Sequence, residues 1–171
     1  MGCSTGHDTP LLATMFPTVV SVDLSEQMLR QAAGRSPTRI QADASHLPLA
    51  NASVAAVAAV DMLLFPAETA RVLRPDGVLP WINQLAADGP LHLPAAAVAG
   101  ALPGTWEGIE SEAGWGTWVV LRRSSWPEVA GAPPRDRRRT LPWPGPSAPA
   151  EAVDASRLQA LFHVQHPAPR A

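Results

Sequence analysis

A turn of small residues, Gly2-Cys3-Ser4-Thr5-Gly6, opens the sequence and runs into a helix-forming stretch. Glycines let a ligand approach the main chain closely, and the unpaired N–H groups of a helix start carry partial positive charge toward it. Asp23 closes the β-branched run Val19-Val20-Ser21-Val22, 21 residues beyond Gly2. A carboxylate at a strand end, at about that distance from a glycine turn, can accept both hydroxyls of a ribose. A nicotinamide dinucleotide fingerprint is disfavoured, because its third and sixth glycines are here Ser4 and His7.

Positioning these residues requires alternating strands and helices, and the chain supplies that pattern from Gly2 to about Arg123. The spacing predicts a helix over 7–16, with Pro17 closing it, and a short strand over 19–23. Ser25 stands where an N-cap belongs and Glu26 in the first turn of a helix to Ala33, which Gly34 ends. Further strands are expected over 39–42 and, as one continuous apolar run covered on both faces, over 53–60, with Asp61 at its end. A helix over 67–73, a turn at Arg74-Pro75-Asp76-Gly77, a strand over 78–84, a helix over 94–102 and a hairpin of 106–112 with 116–122 complete the reading. The fold class is therefore α/β, a mostly parallel sheet with a C-terminal antiparallel hairpin.

Composition bounds the rest. At 171 residues, 46% of them apolar, the chain can build one core, and a net charge of -2 gives no general attraction to nucleic acid or anionic membrane. One cysteine, Cys3, excludes an internal disulfide framework and a multi-cysteine metal site, and no metal is expected; a reducing, cytoplasmic setting fits. No apolar run reaches membrane-spanning length, since Asn51, Ser53 and Asp61 interrupt the longest. Beyond Arg123 prolines crowd around Arg135-Asp136-Arg137-Arg138-Arg139, so a domain over 1–123 and an unpacked Pro/Arg-rich tail over 124–171 are expected, the segment 151–163 offering a turn or two of helix. That arginine run reads as a solvated charge cluster and not as a nucleic-acid reader.

Four segments in order carry a resemblance. They are Gly2-Cys3-Ser4-Thr5-Gly6; Val22-Asp23-Leu24-Ser25-Glu26-Gln27-Met28-Leu29; Ala42-Asp43-Ala44 with Leu47-Pro48; and Glu68-Thr69-Ala70-Arg71-Val72-Leu73-Arg74-Pro75-Asp76-Gly77. In this the chain resembles the class I, Rossmann-like, S-adenosylmethionine-dependent methyltransferases, with Ser4 and Asp76 in place of two family glycines. The resemblance implies S-adenosylmethionine as cofactor and methyl transfer to a small-molecule acceptor. It places the methionine part on the Gly2–Gly6 backbone (Gly2, Cys3, Ser4 and Gly6), the ribose on Asp23, one adenine face on Leu24, and the adenine's polar edge on Asp43 and Ala44. A carboxylate accepts from an exocyclic amine while a main-chain N–H donates to a ring nitrogen, so the last pairing suits adenine.

Near the reacting methyl, Asp61, counted among the cofactor residues, stands with His7 and His92. Transfer from a sulfonium needs no protonated leaving group, so positioning dominates and no general base is singled out. The family's first strand and its acidic residue have no counterpart before Gly2, where Met1 stands. The expectation is thus a sheet lacking its first strand, whose neighbours are left unpaired. A homodimer completing the sheet in trans, or a non-catalytic binding module, follows as the alternative.

Overall fold

The structure, a computed structural model, describes residues 2–124. The arginine cluster 135–139, the prolines around it and the segment 151–163 lie outside the described residues.

In chain order the elements are α1 (Thr9–Met15), β1 (Ser21–Asp23), α2 (Glu26–Gln31), β2 (Arg39–Gln41), β3 (Val54–Ala56), β4 (Ala59–Val60), α3 (Pro66–Val72), β5 (Leu73–Asn83), a 3-10 turn (Ala86–Asp88), α4 (Ala95–Ala101), β6 (Trp106–Ala113) and β7 (Gly116–Arg123). Helices and strands stand in the predicted order, α1, α2, α4, β1 and β2 shorter than expected and β5, β6 and β7 longer. Ser25 caps α2 as expected, its side chain accepting the Met28 N–H at 3.3 Å, and Glu26 sits in the first turn. Pro10 and Pro66 each fall in the first turn of a helix, where a missing N–H costs nothing.

The strands form two sheets. β1 and β2 pair in parallel as one, and β3, β5, β7 and β6 form the second in that order, with β4 also on β5. β3 and β4 run parallel to β5, and the β5–β7 and β6–β7 pairs are antiparallel. No strand pair joins the two sheets among the described residues. On β1, the Val22 carbonyl instead accepts the Cys3 N–H at 3.0 Å.

Two expectations are corrected. The run 53–60 is not one strand but two, β3 and β4, and β3 is only half-buried. Within β3 the register shifts, because Val54 pairs with Leu73 and Ala56 with Val78, so β5 carries three extra residues there; the pairing then runs on unshifted to Ala59–Trp81. Arg74-Pro75-Asp76-Gly77 therefore forms an exposed bulge within β5 rather than a turn before it. Gly77 is required there, because a Cβ would stand 3.1 Å from the Ala55 carbonyl oxygen and 3.0 Å from a Leu73 methyl.

A core of Val22, Val57, Ala59, Leu73, Leu79, Trp81, Val98, Leu102, Trp106, Val119 and Leu121 contains residues of both sheets. Fully burying a side chain such as Leu79 stabilises by about 1.5–3 kcal/mol. On the opposite face of the larger sheet Ile82 and Trp118 pack with Leu11 and Met15 of α1. Trp81, Trp106 and Trp118 are core residues, and Trp115, at the hairpin tip, is 65% exposed.

Candidate functional site

The glycine turn leads into α1 and lies beside the C-terminal end of β1. Gly2 and Gly6 adopt φ of 66° and 74°, and Ser4, at φ 48°, sits in the same left-handed region that glycine occupies freely. A Cβ on Gly6 would meet the Ala32 Cβ at 3.0 Å, so the turn is packed against the end of α2. Beneath it Thr9, Ser21 and Ser36 are buried with their hydroxyls linked: Thr9 and Ser21 stand 3.1 Å apart, and Ser36 donates to Ser21.

Three of the turn's N–H groups have partners within the protein. Cys3 N–H bonds to Val22 O, Gly6 N–H to Cys3 O, and Ser4 N–H to Asp23 Oδ2 at 2.8 Å. These three donors are directed into the protein, which fixes the turn's shape. The Cys3 thiol pKa is raised, first by burial and then by the charge of Asp23.

Asp23 is the hinge of the arrangement. One carboxylate oxygen takes the Ser4 N–H and the other takes the Ser25 N–H at 2.9 Å, tying the glycine turn to the start of α2. A carboxylate offers about four lone-pair directions, so each oxygen keeps acceptor capacity for a hydroxyl. Leu24 beside it is 69% exposed and Met28, one turn along α2, 36%. Together they present an open apolar face.

Asp43 follows β2. Its Oδ1 accepts the Ser45 N–H at 2.8 Å, and Asp43 O accepts the His46 N–H at 3.0 Å, so the residue builds a tight turn. The Ser45 N–H bond chiefly lowers the Asp43 pKa, and the carboxyl stays ionised. Its second oxygen remains for a donor, and Ala44 lies within the turn.

That turn is held by residues to which sequence reasoning gave no role. Glu68 Oε1 accepts the Leu47 N–H and the Arg71 Nη2, and Oε2 accepts Arg71 Nε at 2.8 Å. Arg71 also donates to the carbonyls of Leu47 at 3.0 Å and Leu49 at 2.7 Å and to Asn51 Oδ1 at 2.8 Å. The guanidinium fork thereby staples 47–51 onto α3. Arg71 is the first cause holding the Glu68 pKa at about 2, well below its usual 4.5. Their i,i+3 spacing was the available signal.

Asp61, just after β4, has φ 40° and accepts the Gln84 N–H at 2.9 Å, so the ends of β4 and β5 are locked together. Met62 beside it faces the glycine turn: a Cβ on Gly2 would lie 3.6 Å from the Met62 Cβ. Gly2, Asp61, Met62 and Gln84 thus meet at one edge, at the C-terminal ends of parallel strands, where α/β sheets bind ligands. His92 belongs to a segment held by Asn83, whose Oδ1 accepts the Leu93 N–H and whose Nδ2 donates to the Leu93 carbonyl at 3.1 Å. His7 is exposed at the entry to α1.

Such an architecture, with a glycine turn, a strand-end carboxylate and an antiparallel hairpin closing a parallel sheet, defines the class I, Rossmann-like methyltransferase fold. Residues 1–80 match the methyltransferase domain family. That match spans 80 of the 171 residues. No curated protein matches the sequence. Among solved structures the PH0226 protein from Pyrococcus horikoshii is similar, at TM-score 0.59 and 18% identity over 72% of this chain and 79% of that one. The DhpI–SAH complex matches at TM-score 0.57 and 19% identity, over 73% of this chain and 75% of that one. A TehB-like SAM-dependent methyltransferase from Corynebacterium glutamicum matches at 0.55 and 14%, over 72% and 77%. At these identities the likeness is one of fold. Among the described residues no helix is long and apolar enough to cross a membrane.

Proposed function

We propose that this protein transfers the methyl group of S-adenosylmethionine to a small-molecule acceptor. The observation that carries the proposal is the Asp23 carboxylate, which joins the glycine turn to α2 and keeps lone pairs for the two ribose hydroxyls. The fit extends to the neighbours: Leu24 and Met28 offer an apolar face for adenine, and Asp43 with Ala44 a carboxylate and a main-chain N–H for its polar edge. The turn over 2–6 supports the methionine part, with Ser4 and Cys3 at its centre.

When bound, the cofactor supplies an electrophilic methyl on a sulfonium. The work of the chain is then to hold and orient. Asp61 and Met62 border the glycine turn at the methyl-bearing end, and the Asp61–Gln84 bond keeps that edge rigid. His7 and His92 are the histidines nearest in sequence to this edge, and Asp61 Oδ1 is taken by the Gln84 N–H. The single thiol, Cys3, fits the reducing cytoplasm.

Calorimetric titration of S-adenosylhomocysteine into the native chain and into Asp23→Asn tests this. Binding by the native chain, weakened about 10- to 100-fold in the variant, is the expected result, since a hydrogen bond to a charged group is worth about 1.5–3 kcal/mol. A thermal melt separates lost binding from lost folding. No binding by a cooperatively folded native chain sinks the proposal.

A further inference from the structure

We infer that the methyl acceptor is an apolar molecule carrying no anionic group, held against Leu63, Leu85 and Leu91. The inference rests on the methyltransferase reading and specifies its second substrate.

One close approach and two hydrogen-bonded junctions define where an acceptor must enter. Gly2 faces Met62, Asp61 accepts the Gln84 N–H, and Asn83 grips both main-chain groups of Leu93. The segments 61–64, 84–86 and 91–93 are therefore anchored to the same end of β4 and β5. Each presents an exposed leucine there: Leu63 at 62%, Leu85 at 49% and Leu91 at 40%. Elsewhere the larger sheet buries its leucines, Leu73, Leu79 and Leu121. Three open leucines on one rim are a surface that gains by covering, in proportion to the apolar area removed from water.

The charges around this rim exclude an anion. The chain has no lysine, and no arginine occurs between Arg74 and Arg122. Those two stand at the far end of β5, where Arg122 pairs with Val78 and Arg74 lies in the exposed bulge. Arg71 is engaged by Glu68 and by the carbonyls of Leu47 and Leu49. Arg35 is bonded to the Thr5 carbonyl of the glycine turn at 3.2 Å, and the segments 61–64, 84–86 and 91–93 themselves contain no arginine or lysine. A carboxylate or phosphate held against those segments faces the Asp61 carboxylate without a cation from them, whereas a body with no anionic group meets no such penalty.

Two fluorescent probes of one shape test this on the full chain: neutral N-phenyl-1-naphthylamine and anionic 8-anilinonaphthalene-1-sulfonate. The neutral probe is expected to bind about tenfold more tightly or better, and Leu63→Arg to reverse the ratio by adding the missing cation. Leu85→Arg repeats the test should the first variant melt early. Ile109→Arg, on the exposed strand β6 away from this rim, is the control and leaves the ratio unchanged. Equal binding of the two probes, preference of the native chain for the sulfonate, or equal responses of Leu63→Arg and Ile109→Arg overturns the inference. S-adenosylhomocysteine titration of the native chain separates the two levels: its binding alongside any of those results sinks the acceptor class alone, and its failure sinks the methyltransferase reading.

Discussion

Replacing Glu68 by Gln removes the charge from the staple that holds 47–51 on α3 while keeping the side chain's shape. Glu68 accepts three N–H bonds, two from Arg71 and one from Leu47. A carboxyl pKa moved from 4.5 to about 2 corresponds to about 3 kcal/mol, at about 1.4 kcal/mol per unit. Arg71, with its side chain 33% exposed, lets water screen the pair, so about 1–2 kcal/mol is the realistic loss at neutral pH. Because the folded-state pKa is depressed, this stabilisation is fully present above pH 4.5 and disappears as pH falls toward 2. Thermal melts of the native chain and Glu68→Gln should therefore differ by roughly 5 °C at pH 7 and converge as the pH drops through that window. A gap that stays constant from pH 7 to 3 refutes the assignment of the stabilisation to the ionised carboxylate.

Gly108→Ala should destabilise the hairpin by about 1–3 kcal/mol, measured as a lower urea midpoint, because its Cβ would stand 2.4 Å from the Val120 carbonyl oxygen. An unchanged midpoint refutes the close β6–β7 approach. Ser4→Gly should stabilise the fold by about 1 kcal/mol in urea unfolding, relieving a left-handed serine at φ 48° while keeping the N–H bond to Asp23. Asp43→Asn should weaken S-adenosylhomocysteine binding about tenfold by calorimetry under the proposed role of its carboxylate as acceptor for an exocyclic amine; equal affinities refute that role.

The order of elements was legible because each left a local mark: Ser25 caps α2, Pro10 and Pro66 open helices, and the Gly114-Trp115 pair lets β6 return as β7. The split of 53–60 left none. The register shift inside β3 left none either: it lies with the partner strand, whose Arg74–Gly77 bulge moves the pairing from Val54–Leu73 to Ala56–Val78. Apolar periodicity describes one segment at a time and carries no information about its neighbour's register.

The site divides along the same physical line. Residues proposed to meet the cofactor through a fixed chemical need, Asp23 and Asp43 above all, are recognisable by type and spacing, because ribose and adenine always present the same groups. Residues that hold the site in shape are joined only by the fold: Arg71 to the carbonyls of Leu47 and Leu49, Asn83 to Leu93, Asp61 to Gln84. Their partners are main-chain atoms, which every residue possesses, so the sequence carries no trace of the pairing. The acceptor side is quieter still, since displacement at a sulfonium methyl demands alignment more than acid–base help. Selection for alignment leaves no dyad to find; it leaves a rim of Leu63, Leu85 and Leu91 and an absence of cations. On this reading the chemistry of the acceptor is encoded in what the rim can solvate, and exchanging one leucine for arginine changes the substrate class before it changes the fold.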